Sequence, residues 1–266
     1  MTLYQEKNNS VVIQPVTKTK PVAILRFFPI EGPGYFATFL DQHAVPWQLI
    51  RLDAGDTLPD NLSGFSGLVL MGGPMSVHDD FPWIALVIRL IKQAITSDIP
   101  ILGNCLGGQL LATALGGQVS NHPVKELGWG WVEVVDTPIA RSWLGDLTGF
   151  EAFHWHGETF SLPHGATHLL SSTFCSNQAF VFGKHLGLQC HLEMTPAMVK
   201  EWCHVNAEEL RQNQDSPAVQ TMDEIQHDLH QRVSALQSVA RRIYQNWIIT
   251  LDTRDNHIQS TPQSEK

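Results

Sequence analysis

With 266 residues, 43% of them hydrophobic and 16% charged, the chain can bury a sizeable core, which excludes a wholly disordered protein. A formal charge of −9 argues against general nucleic-acid binding, which needs a clustered basic surface. No run reaches the about 18 uninterrupted apolar residues of a membrane span, and the first ten residues, "MTLYQEKNNS", lack the apolar core of a secretory signal. A soluble, cytoplasmic protein with neither membrane nor nucleic acid as partner is therefore expected.

Residues 1–19 are polar and aperiodic and read as a mobile N-terminal arm, although "VVIQPV" could pair as an edge strand. A strand is expected over 22–28 ("VAILRFF"), a helix over 35–44, and strands over 47–52 and 67–71. "PWIALVIRLIKQAITS" (82–97) has helical periodicity, with Pro82 suited to the first turn. A strand over 99–103 leads into a helix over 106–115. Strand–helix alternation with almost continuously apolar strands indicates an α/β fold with a mainly parallel sheet covered on both faces.

The second half changes character. Strands are expected at 131–135, 167–172, 178–183 and 186–191, followed by a helix that Thr195 would cap. Ile225, Leu229, Val233, Leu236, Ile243 and Trp247 recur every three or four residues or a small multiple of that, and Thr221 and Glu224 have capping-box spacing. Together they predict one long C-terminal helix over about 221–249, within a single domain spanning 20–250. Residues 251–266 read as a polar tail.

The four cysteines are Cys105, Cys175, Cys190 and Cys203. None forms a C-x-x-C pair, so neither a zinc knuckle nor a thioredoxin-like motif is present, and reduced thiols are expected. Gly103-Asn104-Cys105-Leu106-Gly107 stands apart. It has the G-x-nucleophile-x-G form where a predicted strand meets a predicted helix. Such an elbow lifts the side chain off the sheet, and the positive end of the following helix favours a thiolate. The N–H of Leu106 would then be free to hold a developing oxyanion. A buried structural cysteine in a glycine-rich turn is the competing interpretation.

A cysteine nucleophile for acyl transfer needs a histidine base, and that histidine an orienting carboxylate. His191 and Glu193 have the spacing, and so do His156 and Glu158; sequence geometry does not separate the two pairs. His154 and His156 also make an H-x-H pair, but without a third and fourth ligand no metal site is assigned.

Four segments, "LVLMGGPMSV", "PILGNCLGGQLLATALGG", "FHWHGETFSLP" and "LGLQCHLEMTPAMV", together resemble a class I glutamine amidotransferase domain, of the stand-alone kind similar to the amidotransferase part of GMP synthase. The resemblance spans roughly residues 20–205. It implies a flavodoxin-like α/β fold with a central, mostly parallel sheet. It also implies a catalytic triad of Cys105, His191 and Glu193, and oxyanion-hole amides at Gly73 and Leu106. Gln109 would help to hold the substrate. The implied reaction releases ammonia from the glutamine side chain through a glutamyl thioester and uses no cofactor and no metal. No phosphate-cradling G-x-x-x-x-G-K-[ST] loop is present, so an ammonia-accepting synthase would be a partner in trans. A stand-alone γ-glutamyl peptide hydrolase and a non-catalytic binding module are the alternatives. The chain departs from the family pattern in reading "QCHLE" around the base, and in Gly108, which is expected to widen the glutamine pocket. Strand alternation predicts that Cys190 packs away from His191. "HWHGE" is expected to form a loop near the site.

Overall fold

β1 (Val22–Arg26) is buried along nearly its whole length, and its side chains part between two cores. Val22 and Ile24 pack on one face of the sheet, Ala23 and Leu25 on the other. A strand apolar on both sides needs helices on both sides, and the chain supplies them. α2 (Pro82–Thr96) buries Ile84, Val87, Leu90, Ile91 and Ala94 on the Ala23 face, beside α3 (Leu106–Ala114). α1 (Gly34–Gln42) packs Phe36, Phe39 and Leu40 on the opposite face.

The computed structural model describes residues 20–251, so the expected arm and almost all of the expected tail lie outside the described residues. The strands form one nine-stranded sheet in the order β2-β1-β3-β4-β9-β8-β7-β5-β6. Its members are β2 (Trp47–Arg51), β3 (Gly67–Leu70), β4 (Ile101–Asn104), β5 (Val119–Val134), β6 (Gly149–Phe160), β7 (Thr167–Ser172), β8 (Ala179–Phe182) and β9 (His185–Leu188). β2, β1, β3, β4 and β9 pair in parallel with one another in that order. From β9 onward every pairing is antiparallel. The α/β expectation holds, with the parallel half extended by an antiparallel annex.

Several elements differ from expectation. β5 begins at Val119 rather than near 131, and β6 was not foreseen: "HWHGE" lies within this strand, not in a loop. Between them α4 (Pro138–Leu144) starts on Thr137, whose hydroxyl accepts from the Ala140 amide. The predicted C-terminal helix is two helices, α7 (Met222–Gln226) and α8 (Leu229–Ile248). His227 is extended and Asp228 has a φ of 50°, which breaks the helical hydrogen-bond ladder while the apolar period carries on across the break. The capping box of Thr221 and Glu224 is present. Between β9 and α7 lie α5 (Pro196–Val205), capped by Thr195 as expected, and α6 (Ala207–Gln212). Among the described residues no helix is long and apolar enough to cross a membrane.

Candidate active site

The carboxyl ends of β1, β3, β4 and β9 lie side by side, and an open parallel sheet forms its sites at that edge. β4 runs out at Asn104 into Cys105, whose φ of 49° and ψ of −109° are strained for a residue with a side chain, at a cost of about 1–3 kcal/mol. Only glycine fits on either side. A Cβ on Gly103 would collide with the backbone of Gly107, and a Cβ on Gly107 with the carbonyl of Leu70. The elbow is pinned to β9 by the Cys105 amide, which donates to Leu188 O at 2.8 Å. The Gln109 amide donates to Cys105 O at 3.0 Å, so the N–H groups of residues 106–108 precede the first turn's bonds. The thiol thus sits at the positive end of α3.

β9 itself stops at Leu188, three residues short of the expectation. His191 is held instead by a single bridge to β6, its amide donating to Phe153 O at 2.8 Å. Its Nδ1 is 2.7 Å from Glu193 Oε1, and both side chains are 1% exposed. Burial opposes charge on the ring, but the Glu193 carboxylate, with Cys105 adding, holds it well above the ordinary histidine value. Nε2 is buried and makes no hydrogen bond. Trp202 stands edge-on to the ring, 4.8 Å between centroids, and limits its rotation.

The competing pair is not brought together. His156 Nδ1 meets the backbone carbonyl of Glu158 at 3.1 Å, while the Glu158 carboxylate accepts from Ser76 Oγ. Cys190 is fully buried in the core, its thiol pushed far up by burial, and it does not line the cleft. Gly108 corrects a different expectation. A Cβ there would strike Leu188 O, so this glycine lets α3 lie on β9 and does not widen the pocket.

A cleft of about 370 Å³ opens over the thiol, lined by Gly73, Cys105 and Gln109 at its floor and by Trp155 and Trp202 at its wall. Leu106 is buried at the elbow, within 3.0 Å of where a Gly73 side chain would begin. Gln109 donates to Gln189 Oε1 at 3.3 Å, and Gln189 Nε2 approaches Cys105 Sγ at 3.6 Å. α6 closes the rim: Glu209 accepts from Lys125 Nζ at 2.7 Å and from Trp155 Nε1 at 2.8 Å.

Two residues at the site, the buried Gln189 behind the thiol and Glu31 in the cleft, gave no sequence signal. Gln189 precedes the "CHLE" run as one more polar residue at a strand end. Glu31, in the turn after β1, looks like any solvent-facing acid. It lines the cleft with no hydrogen bond or ion pair to its carboxylate among the described residues. Burial, only partly offset by His191, and reinforced by Glu193 and Glu209, raises its pKa from 4.5 to about 7.

Residues 40–202 match the family model described as glutamine amidotransferase class-I. The chain belongs to the class I glutamine amidotransferase family. Among curated relatives, the glutamine amidotransferase-like protein YfeJ of Salmonella typhimurium is 29% identical over 73% of this chain and 84% of its own length. A glutamine-hydrolyzing GMP synthase of Aeropyrum pernix is 36% identical over 55% of this chain, but the match spans 28% of the synthase. Among solved structures, a glutamine amidotransferase from Methylobacillus flagellatus superposes with a TM-score of 0.87. It is 43% identical and covers 90% of this chain and 98% of its own. A Thermotoga maritima glutamine amidotransferase gives a TM-score of 0.78 at 27% identity, covering 87% and 99%.

Proposed function

We propose that the protein hydrolyses the side-chain amide of glutamine through a γ-glutamyl thioester on Cys105. The observation that carries this reading is the buried His191–Glu193 pair, 2.7 Å apart, beside a cysteine held in a strained elbow at a helix N-terminus. His191 Nε2 takes the thiol proton, and the sulfur attacks the amide carbon. The amides of Gly73 and Leu106 hold the oxyanion that forms. The imidazolium returns the proton to the nitrogen, the C–N bond breaks, and ammonia leaves. Water, losing a proton to His191, then attacks the thioester; glutamate departs and the thiol regains its proton. Glu193 fixes the ring's orientation and balances its charge in both halves. Gln109 and Gln189 position the substrate, and Glu31, the unpaired carboxyl of the cleft, receives its ammonium group.

The ammonia has two outlets. The matched part of the Aeropyrum pernix GMP synthase is a minor fraction of that enzyme, which supports delivery to a synthase partner in trans. The cleft also extends from the thiol to Asp79 and Glu158, which favours a γ-glutamyl amide with a larger, cationic leaving amine as a second substrate class. Measuring ammonia release from glutamine and amine release from a γ-glutamyl amide tests the reading, with a glutamine-site affinity label followed by mass mapping. Turnover by wild type, none by Cys105→Ala, and label on Cys105 are expected. Turnover retained in Cys105→Ala, or label on Cys190, would refute it.

A further inference from the structure

The H-x-H pair of β6 gains from β5 the third ligand that sequence spacing did not supply. His154 and His156 project on one face of β6, and Glu126 of β5 lies opposite His156 in the register. One ligand-type atom from each of the three lies within 4.8 Å of the others, and all three residues are buried.

The hydrogen bonds around the rings leave one nitrogen of each off any backbone carbonyl. A carbonyl can only accept, so His156 Nδ1, facing Glu158 O at 3.1 Å, carries a hydrogen. In the neutral ring Nε2 is then a lone pair, met by a donor only at the 3.5 Å contact with Gln178 Nε2, yet it stands 3.0 Å from Glu126 Oε2. His154 lays its Cδ2–Nε2 edge against Gly130, with Nε2 3.4 Å from that residue's carbonyl. Nδ1, on the other edge of the ring, is buried and without a partner. A cation resolves both mismatches. It accepts the two lone pairs and neutralises the carboxylate.

We infer that Glu126, His154 and His156 form a binding site for a divalent ion of the zinc type. Two imidazoles and one carboxylate suit zinc, whereas magnesium and calcium take oxygen ligands. The surroundings match what supports such ligands: each imidazole turns its second nitrogen to a backbone carbonyl, and the carboxylate is steadied by Ser172 Oγ at 2.8 Å and Gln178 Nε2 at 2.7 Å. A cleft of about 170 Å³, lined in part by Glu126, His154 and Ser172, gives the ion an entry path and a water for the fourth position. The ion would tie β5 to β6 beside the register shift between Asn121 and Glu126. Because His156 also lines the Cys105 cleft, the ion would fix that wall without entering the chemistry.

The test measures zinc bound to the full chain carrying Cys105→Ala, which removes the thiol as a competing ligand. Equilibrium dialysis is expected to give one zinc per chain. Cobalt in its place should give a visible spectrum without a thiolate band. Adding His154→Gln or Glu126→Gln is expected to weaken zinc affinity by at least about 10-fold, with folding checked by near-ultraviolet circular dichroism. If one variant does not fold, the other decides. No bound zinc, or zinc held equally by both folded variants, overturns the site and leaves the cluster an ion pair of His156 with Glu126. Glutamine turnover is read separately, so loss of the proposed reaction and loss of the metal site are distinguishable.

Discussion

Replacing Glu31 with glutamine removes one ionisable group from the cleft and leaves its volume and shape almost unchanged. The carboxyl's pKa is about 7 in the folded chain against an ordinary 4.5. Between those values the folded protein holds a proton that the unfolded chain has lost, so stability falls as pH rises through this window and the full cost applies above about 7. At about 1.4 kcal/mol per pH unit the ceiling is about 3 kcal/mol, and contact with cleft water brings the working figure to about half of that. Glu31→Gln is therefore expected to match wild type near pH 4.5 and to exceed it by about 1.5 kcal/mol at pH 8, read from urea midpoints at both pH values. Its KM for glutamine should rise about 10-fold, since a hydrogen bond to a charged group contributes about 1.5–3 kcal/mol. Such a pairing of gain and loss marks a residue kept for ligand rather than for folding. A stability difference that is the same at both pH values, or a variant less stable at pH 8, would refute the reasoning.

Ammonia release by Cys105→Ala should fall by on the order of 10⁴ or more, while Cys175→Ala and Cys190→Ala retain most of it; substantial loss in Cys190→Ala alone would point to a second thiol in the chemistry. His191→Asn should approach the loss seen in Cys105→Ala, with His156→Asn milder, and kinetics showing the reverse order would move the base to His156. Glu193→Gln should lower kcat by roughly 10³–10⁴ with little change in KM; a rise in KM at unchanged kcat would make Glu193 a substrate contact instead.

The parallel half of the fold was readable because its strands are apolar on both faces and its helices keep a 3.6 period. Val22–Arg26 and Pro82–Thr96 fall within the expected segments. β6 escaped because its faces are mixed: Phe153 and Trp155 pair in a stack while His154 and His156 point into a polar cluster. The helix break at Asp228 escaped because a left-handed residue leaves the apolar period intact. Cys105 could be found since its elbow is a local pattern, enforced by collisions within a few residues and with β3. Glu31 and Glu126 could not. Glu31 is unusual only because the fold brings it beside His191, and Glu126 becomes a ligand only through a register that starts beyond an irregular stretch.

Buried polar atoms rarely go unpaired, so the places where this chain leaves them unpaired are informative. Ser66, His185, Tyr244 and Trp247 each leave one such atom, scattered through the fold. The remainder fall at two places. Asn104 Oδ1, His191 Nε2 and Glu193 Oε2 surround the elbow, and His154 Nδ1 and Gln178 Oε1 flank the Glu126 cluster. A proton acceptor must keep a free lone pair to act, and so must a metal ligand before its metal binds. β6 joins the two places: its Phe153 carbonyl anchors His191, its Trp155 carbonyl lies 3.9 Å from the Cys105 thiol, and its two histidines reach the Glu126 cluster. Any ion that stiffens β6 would thus act on the bridge that holds His191. Zinc bound at Glu126 should accordingly change kcat for glutamine more than KM, and that change should vanish in Glu126→Gln.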